Sequence, residues 1–134
     1  LFKMATTSAS ISLNSPDITA DVLSLSTSTQ FKKAGTNTGI DQTTGAARAL
    51  YATAQTDTVL FAAADYTNDK AHKIYVKNPS SNAAEYISLK AGSQELGRLY
   101  AGDFALIPWQ GTYDFKFSTS AINMKIEHIL FHEG

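Results

Sequence analysis

The stretches HKIYVKN at 72–78, AEYISLKA at 84–91, ELGRLYAGDFALIPW at 95–109, YDFKFS at 113–118 and NMKIEHILF at 123–131 decide the fold. In each, apolar residues fall two apart, the period of a strand whose side chains point alternately to opposite faces. Such alternation leaves one face buried and one wet, as in antiparallel sheets. Turn residues separate the segments: Asn-Pro-Ser-Ser-Asn at 78–82, Ala-Gly-Asp at 101–103 and Gln-Gly-Thr at 110–112. The first has proline at the second position of a type I turn and reads as joining its flanking strands into a hairpin. A sheet with one apolar face closes a core against a second sheet, so the pattern predicts an all-β, two-sheet antiparallel β-sandwich, jelly-roll-like in strand number.

Toward the N-terminus the pattern softens. TVLFAAA at 58–64 is a short apolar run that fits a buried strand. AARALYATA at 46–54 has alanine's helix propensity, but it is short for a stable helix and Leu50, Ala52 and Ala54 fall two apart, so a strand is expected. GTNTGIDQTTG at 35–45 reads as a loop with almost nothing to bury. Residues 8–13 and 21–31 alternate apolar residues with Ser and Thr, placing Leu23 and Leu25 on one face, and Pro16-Asp17 breaks the two segments apart. The count comes to about nine or ten strands, within the range of sandwiches and jelly rolls. Residues 4–15 carry small polar residues and a single Ile11/Leu13 pair, so residues 1–15 read as an extended N-terminal arm, ordered by a neighbouring subunit or by the larger assembly it joins. Residues 16–134 then form a single sandwich domain.

Composition excludes several classes of function. Eleven basic against twelve acidic residues give a net charge of −1, without the basic footprint that phosphate neutralisation favours, so no nucleic-acid partner is expected. Charged residues make up 17%, below the usual quarter, and small neutral side chains replace them, a surface suited to packing against protein. With no cysteine there are neither disulfides nor thiolate metal sites. No run approaches the ~20 apolar residues that span a bilayer, so no membrane association is expected. Met4 and the residues after it look like an ordinary translation start, and the first residues lack the apolar core of a secretory signal.

Catalytic and metal chemistry finds little to work with. His128 and His132 lie four apart in a strand-like context, which separates them by ~13 Å, too far for one metal. No serine sits in a Gly-x-Ser-x-Gly elbow, no glycine-rich phosphate cradle is present, and the carboxylates are scattered. Neither an enzyme nor a cofactor is expected. Among the aromatics, Tyr75, Tyr86, Phe104, Phe115 and Phe117 lie within alternating strands and read as core or cross-strand packing. Trp109, after Pro108 and before Gln110-Gly111, reads either as a cap on the core or as an anchor at one end of the sandwich. The candidate interaction residues are Met4, Ile11, Leu13, Tyr100, Trp109 and Tyr113.

Two resemblances bear on these readings. GDFALIPWQG at 102–111 resembles the second motif of the cupins, but the His-x-His that precedes it in metal-binding cupins and the later histidine are missing, so it implies only the strand-turn geometry of a jelly roll. KIYVKNPSSNAAEYISL, GRLYAGDFALIPWQG and KIEHILFHEG together resemble small β-rich virion proteins of tailed bacteriophages, including those of marine cyanobacteria. The shared positions are Lys77-Asn78, Gly97-Arg98-Leu99, Gly102-Asp103, Pro108 and Glu127, within residues 73–134. That resemblance implies a capsid decoration protein, assembled in the host bacterial cytoplasm and located on the capsid surface of the virion. Its implied partners are the major capsid protein and further copies of itself in a homo-oligomer such as a trimer. A receptor- or glycan-binding module of a tail or fibre, using Trp109 and its neighbouring loops, is the alternative.

Overall fold

A computed structural model describes residues 5–18 and 22–133. It is an all-β antiparallel sandwich, with eleven strands among the described residues, nine of them in the two packed sheets: β1 Ser8–Ser15, β2 Leu23–Gln30, β3 Gln42–Thr43, β4 Ala47–Tyr51, β5 Thr58–Phe61, β6 His72–Lys77, β7 Tyr86–Ala91, β8 Gln94–Tyr100, β9 Phe104–Trp109, β10 Phe115–Thr119 and β11 Met124–His132. The one helical element among the described residues is a 3₁₀ turn at Ala63–Asp65. One sheet runs β5-β10-β7-β8 and the other β3-β11-β6-β9, with β4 also on β11. β3 and β4 share that edge, since β4 pairs with residues 124–128 and β3 with 131–132. The pairing is nested in chain order: β4 with β11, β5 with β10, β6 with β9, β7 with β8.

The alternation read from the sequence sets the inward faces. Along β6, His72, Ile74 and Val76 are buried while Lys73, Tyr75 and Lys77 are not. Phe115 and Phe117 of β10, Ile87 and Leu89 of β7, and Met124, Ile126 and Leu130 of β11 complete the core between the sheets. Tyr51 of β4 meets Phe117 across the sandwich with ring centroids 5.1 Å apart.

One turn behaves differently from the sequence reading. Asn-Pro-Ser-Ser-Asn is not a hairpin turn: it carries the chain from β6 in one sheet to β7 in the other. The connections β8 to β9 and β9 to β10 also cross between sheets. Asn78 is fully buried, with every polar atom used. Its N–H donates to Asp103 O at 3.0 Å and its carbonyl accepts Gly102 N–H at 2.8 Å. Its Oδ1 accepts Ser80 N–H at 3.1 Å, and Nδ2 donates to Leu99 O at 2.9 Å and Glu85 O at 3.2 Å. One buried amide thus ties both crossovers at this end of the sandwich. The within-sheet hairpin is β7–β8, where Gly92 supplies the positive φ, 61°, of a two-residue turn.

The stretch read as a bare loop at 35–45 contains β3 and one core residue. Ile40 is 2% exposed, and its N–H donates to Phe31 O. Phe31, 4% exposed, packs edge-on against Phe131 at 5.3 Å and so pins the N-terminal part of the chain to β11. The short polar segments around Ile40 hid it from a period-2 reading. Residues 8–15, within the stretch read as an arm, pair antiparallel with 23–30. The result is a separate two-stranded ribbon that hydrogen-bonds to no other strand among the described residues.

Candidate functional site

The ribbon's register sorts its side chains by chemistry. Opposed pairs are Ala9 and Thr29, Ile11 and Thr27, Leu13 and Leu25, and Ser15 and Leu23. Strand periodicity places these on one face. The other face carries Ser8, Ser10, Ser12 and Asn14 against Gln30, Ser28, Ser26 and Ser24. On that face Ser24 Oγ donates to Asn14 Oδ1 and Asn14 Nδ2 donates to Ser12 Oγ. Neither strand holds a charged residue. The apolar face is uncovered: Ile11 is 41% exposed, Leu13 45%, Leu23 43% and Leu25 50%, and Ile18 and Val22 near the tip are more open still.

The outer face of the larger sheet continues this surface. Leu106, Tyr75 and Ile129 lie side by side across β9, β6 and β11. Phe104 stands beside Lys77 in the next row, which ends in the ion pair of Glu127 with Arg48. Between ribbon and sheet lies a cleft of about 340 Å³, lined by Ala9, Ser10, Ile11, Thr27, Ser28 and Thr29 of the ribbon and by Phe104 and Leu106 of the sheet. A second hollow of about 280 Å³ extends it toward Tyr75, Ile129 and Phe131.

The residues singled out from the sequence fall on separate surfaces. Ile11 and Leu13 lie on the apolar ribbon face, and Met4 lies outside the described residues. Tyr100 faces outward on the opposite sheet, packed on Tyr86 at 5.4 Å, with the Arg98 guanidinium 4.2 Å over the Tyr86 ring. Tyr113 is exposed in the β9–β10 connection, its ring against Gly92. Of the two readings of Trp109 the structure has the cap on the core, so it is removed from the candidate interaction residues. It is 5% exposed, its indole N–H donates to Tyr113 O at 2.9 Å, and Phe61, Tyr66 and His72 surround it, so no ring face is open to a partner. Phe104 and Tyr86, read as core or cross-strand packing, take the second of these roles: they point out of the sandwich, Tyr86 against Tyr100 and Phe104 against Tyr75. Every position of β9 (FALIPW) is apolar, so the period alone could not say which face turns inward.

The titratable groups are arranged for structure. Among the described residues no three His, Cys, Asp or Glu side chains converge as metal ligands. Glu133 is buried and accepts Ala34 N–H at 2.7 Å and Ala71 N–H at 3.4 Å; the Ala34 bond foremost holds its carboxyl below the usual range. His72 Nε2 donates to Thr67 O at 2.8 Å in the tautomer that satisfies that carbonyl, leaving Nδ1 buried without a partner. His128 points between the sheets, edge-on to Phe61 at 5.7 Å, and burial pushes its pKa below the ordinary 6.5.

That depression has a sign. The unfolded chain takes up a proton at His128 before the folded one does, so stability is highest above pH ~6.5 and falls as pH drops toward the lower folded value. Thermal melts from pH 7.5 to 5.5 are therefore expected to show a falling midpoint, and His128→Leu a flatter profile. Glu133 acts in a separate window, below the ordinary carboxyl value of 4.5, where its contribution is lost with acid. Identical slopes for both proteins would remove His128 as the cause.

Comparisons with known protein families, with curated proteins and with solved structures found no match.

Proposed function

We propose that this chain is a structural protein of a tailed-bacteriophage particle, a decoration protein that packs on the major capsid lattice and stabilises the head. The observation that carries the reading is the apolar, uncharged ribbon face running into Phe104 and Leu106. Contiguous exposed apolar surface of this kind marks protein–protein contact.

The strand order supports the same reading at the level of fold. The nested pairs, in sheets β4-β11-β6-β9 and β5-β10-β7-β8, support a jelly-roll winding, an architecture used by viral capsid domains. Fold alone does not carry function. The positions behind the phage resemblance include Asn78, Gly102 and Asp103, which hydrogen-bond to one another at the crossovers, so the resemblance speaks for architecture and the ribbon surface speaks for the role. A glycan-binding module built on Trp109 loses its stacking residue, since that ring is enclosed.

Quantitative mass spectrometry of purified particles of the encoding phage tests the reading. Hundreds of copies per particle are expected; a few dozen would move the chain to the tail, and none would overturn a virion role. Deleting residues 1–30 is expected to leave the sandwich folded, with a melting midpoint within about 5 °C of the full chain, because no residue of the main core lies there. The same deletion should strip the protein from particles. Loss of cooperative unfolding, or undiminished particle binding, would count against the ribbon as the docking element.

A further inference from the structure

We infer that the outer face of the larger sheet, beside the ribbon, seats an acidic segment of a partner protein, whose apolar side chains enter a trough across the strands while its carboxylates meet the lysines on either bank. This rests on the reading of the chain as an assembly protein and names the chemistry of its partner at that surface.

Charge is sorted on this chain. The whole sequence is nearly neutral, with eleven basic and twelve acidic residues. The outward positions of β4, β6, β9 and β11 nevertheless hold Arg48, Lys73, Lys77 and Lys125 against the single carboxylate of Glu127. That carboxylate pairs with Arg48, and among the described residues Lys73, Lys77 and Lys125 form no ion pair.

Between these cations the floor is apolar. Leu106, Tyr75 and Ile129 form one row across β9, β6 and β11. The hollow of about 280 Å³ beside Tyr75 and Ile129 is matched by another of about 270 Å³ against the same two residues, which reaches Arg48 in β4. A trough therefore crosses the sheet from the ribbon to β4. Lys77 stands in the row on one side of Tyr75 and Lys73 in the row on the other. Four residues apart along β6, they are separated by ~13 Å, room for one extended chain about 10 Å across with its side chains.

Chemistry chooses among occupants. The ribbon of a second copy has no charge in either strand, so it would leave three lysines unmatched. A nucleic acid would match the lysines but bring no aliphatic side chains to Leu106 and Ile129. An acidic protein segment supplies both, and complementary charge around an apolar contact speeds encounter and fixes register.

The test uses the full chain and a fluorescently labelled peptide, Glu-Leu-Glu-Val-Glu-Leu-Glu-Val, at low salt. The peptide should bind the wild type and lose about tenfold in affinity for Lys73→Ser/Lys77→Ser. Lys90→Ser/Lys116→Ser removes the same charge from the other sheet and should leave binding unchanged. Lys73→Glu/Lys77→Glu should instead prefer the peptide with lysine in place of each glutamate. Leu106→Ser, which alters the floor and no charge, gives a further variant should a lysine variant lose the wild-type circular dichroism spectrum; it too should weaken the peptide. No binding to the wild type, or equal losses in the two double-serine variants, would overturn the seat. Polyglutamate or a DNA duplex binding as tightly as the peptide would make the face a general polyanion site and overturn the acidic segment as its occupant. Particles separate this inference from the proposed function. A chain that binds the peptide and ignores particles keeps the seat and loses the virion role, whereas particle binding undiminished by Lys73→Glu/Lys77→Glu does the reverse.

Discussion

Asn78→Asp is expected to lower the unfolding free energy by about 3 kcal/mol or more at pH 7, although the side chains are nearly isosteric. Nδ2 of Asn78 donates to the carbonyls of Leu99 and Glu85 in a position closed to water. An aspartate places a second oxygen against those carbonyls, converts two attractions into repulsions and buries a charge that none of the groups hydrogen-bonded to Asn78 neutralises. With typical domain stabilities of 5–15 kcal/mol, that loss removes a large share of the total. The deficit should shrink in acid, where a protonated carboxyl regains one donor. Denaturant titrations at pH 7 and pH 5 measure both effects; a loss under about 1 kcal/mol at pH 7 would mean that the two crossovers do not depend on this amide.

Phe117→Ala should cost about 3–5 kcal/mol, the range for emptying an aromatic site in a packed core. Phe117 is fully buried in the middle of β10, between β5 and β7, and its ring reaches Tyr51 of the opposite sheet, so the cavity would open between the two layers. Leu50→Ala, at an exposed position of the neighbouring β4, should stay within about 0.5 kcal/mol. The pair of measurements checks the inward and outward faces of the sandwich directly. Equal effects would mean that the two faces are assigned wrongly.

What could be read from the sequence follows from how strictly each strand alternates. His72 to Asn78 alternates strictly, and the buried positions 72, 74, 76 and 78 fall where that period puts them, although the first and last of them are polar. β4 was legible through Leu50, Ala52 and Ala54, although Leu50 faces solvent and the inward positions are Ala49 and Tyr51. β9 was legible as a strand but not as an orientation, because both of its faces are apolar. Turn chemistry showed where the chain reverses and not where it goes: the same Asn-Pro-Ser-Ser-Asn serves a hairpin or a crossing between sheets, and only the partners of Asn78 distinguish them. Ile11 and Leu13 were visible as surface candidates, whereas Leu25 opposite Leu13 required the register. Trp109 failed as a surface anchor because its position beside a turn says nothing of the ring cluster that encloses it.

The place of β11 in the larger sheet bears on how the chain reaches this structure. β11 lies in the middle, with β3 and β4 on one side and β6 on the other, yet it follows all of them in the chain. During synthesis β4 and β6 must therefore wait, with backbone donors and acceptors unsatisfied, until the strand that belongs between them has been made. Pairings that span so much sequence are entropically slow to close, and the waiting strands are open to wrong neighbours. The same order acts as a check on completeness: an unfinished chain lacks the centre of its own sheet and has no stable sandwich with which to enter an assembly.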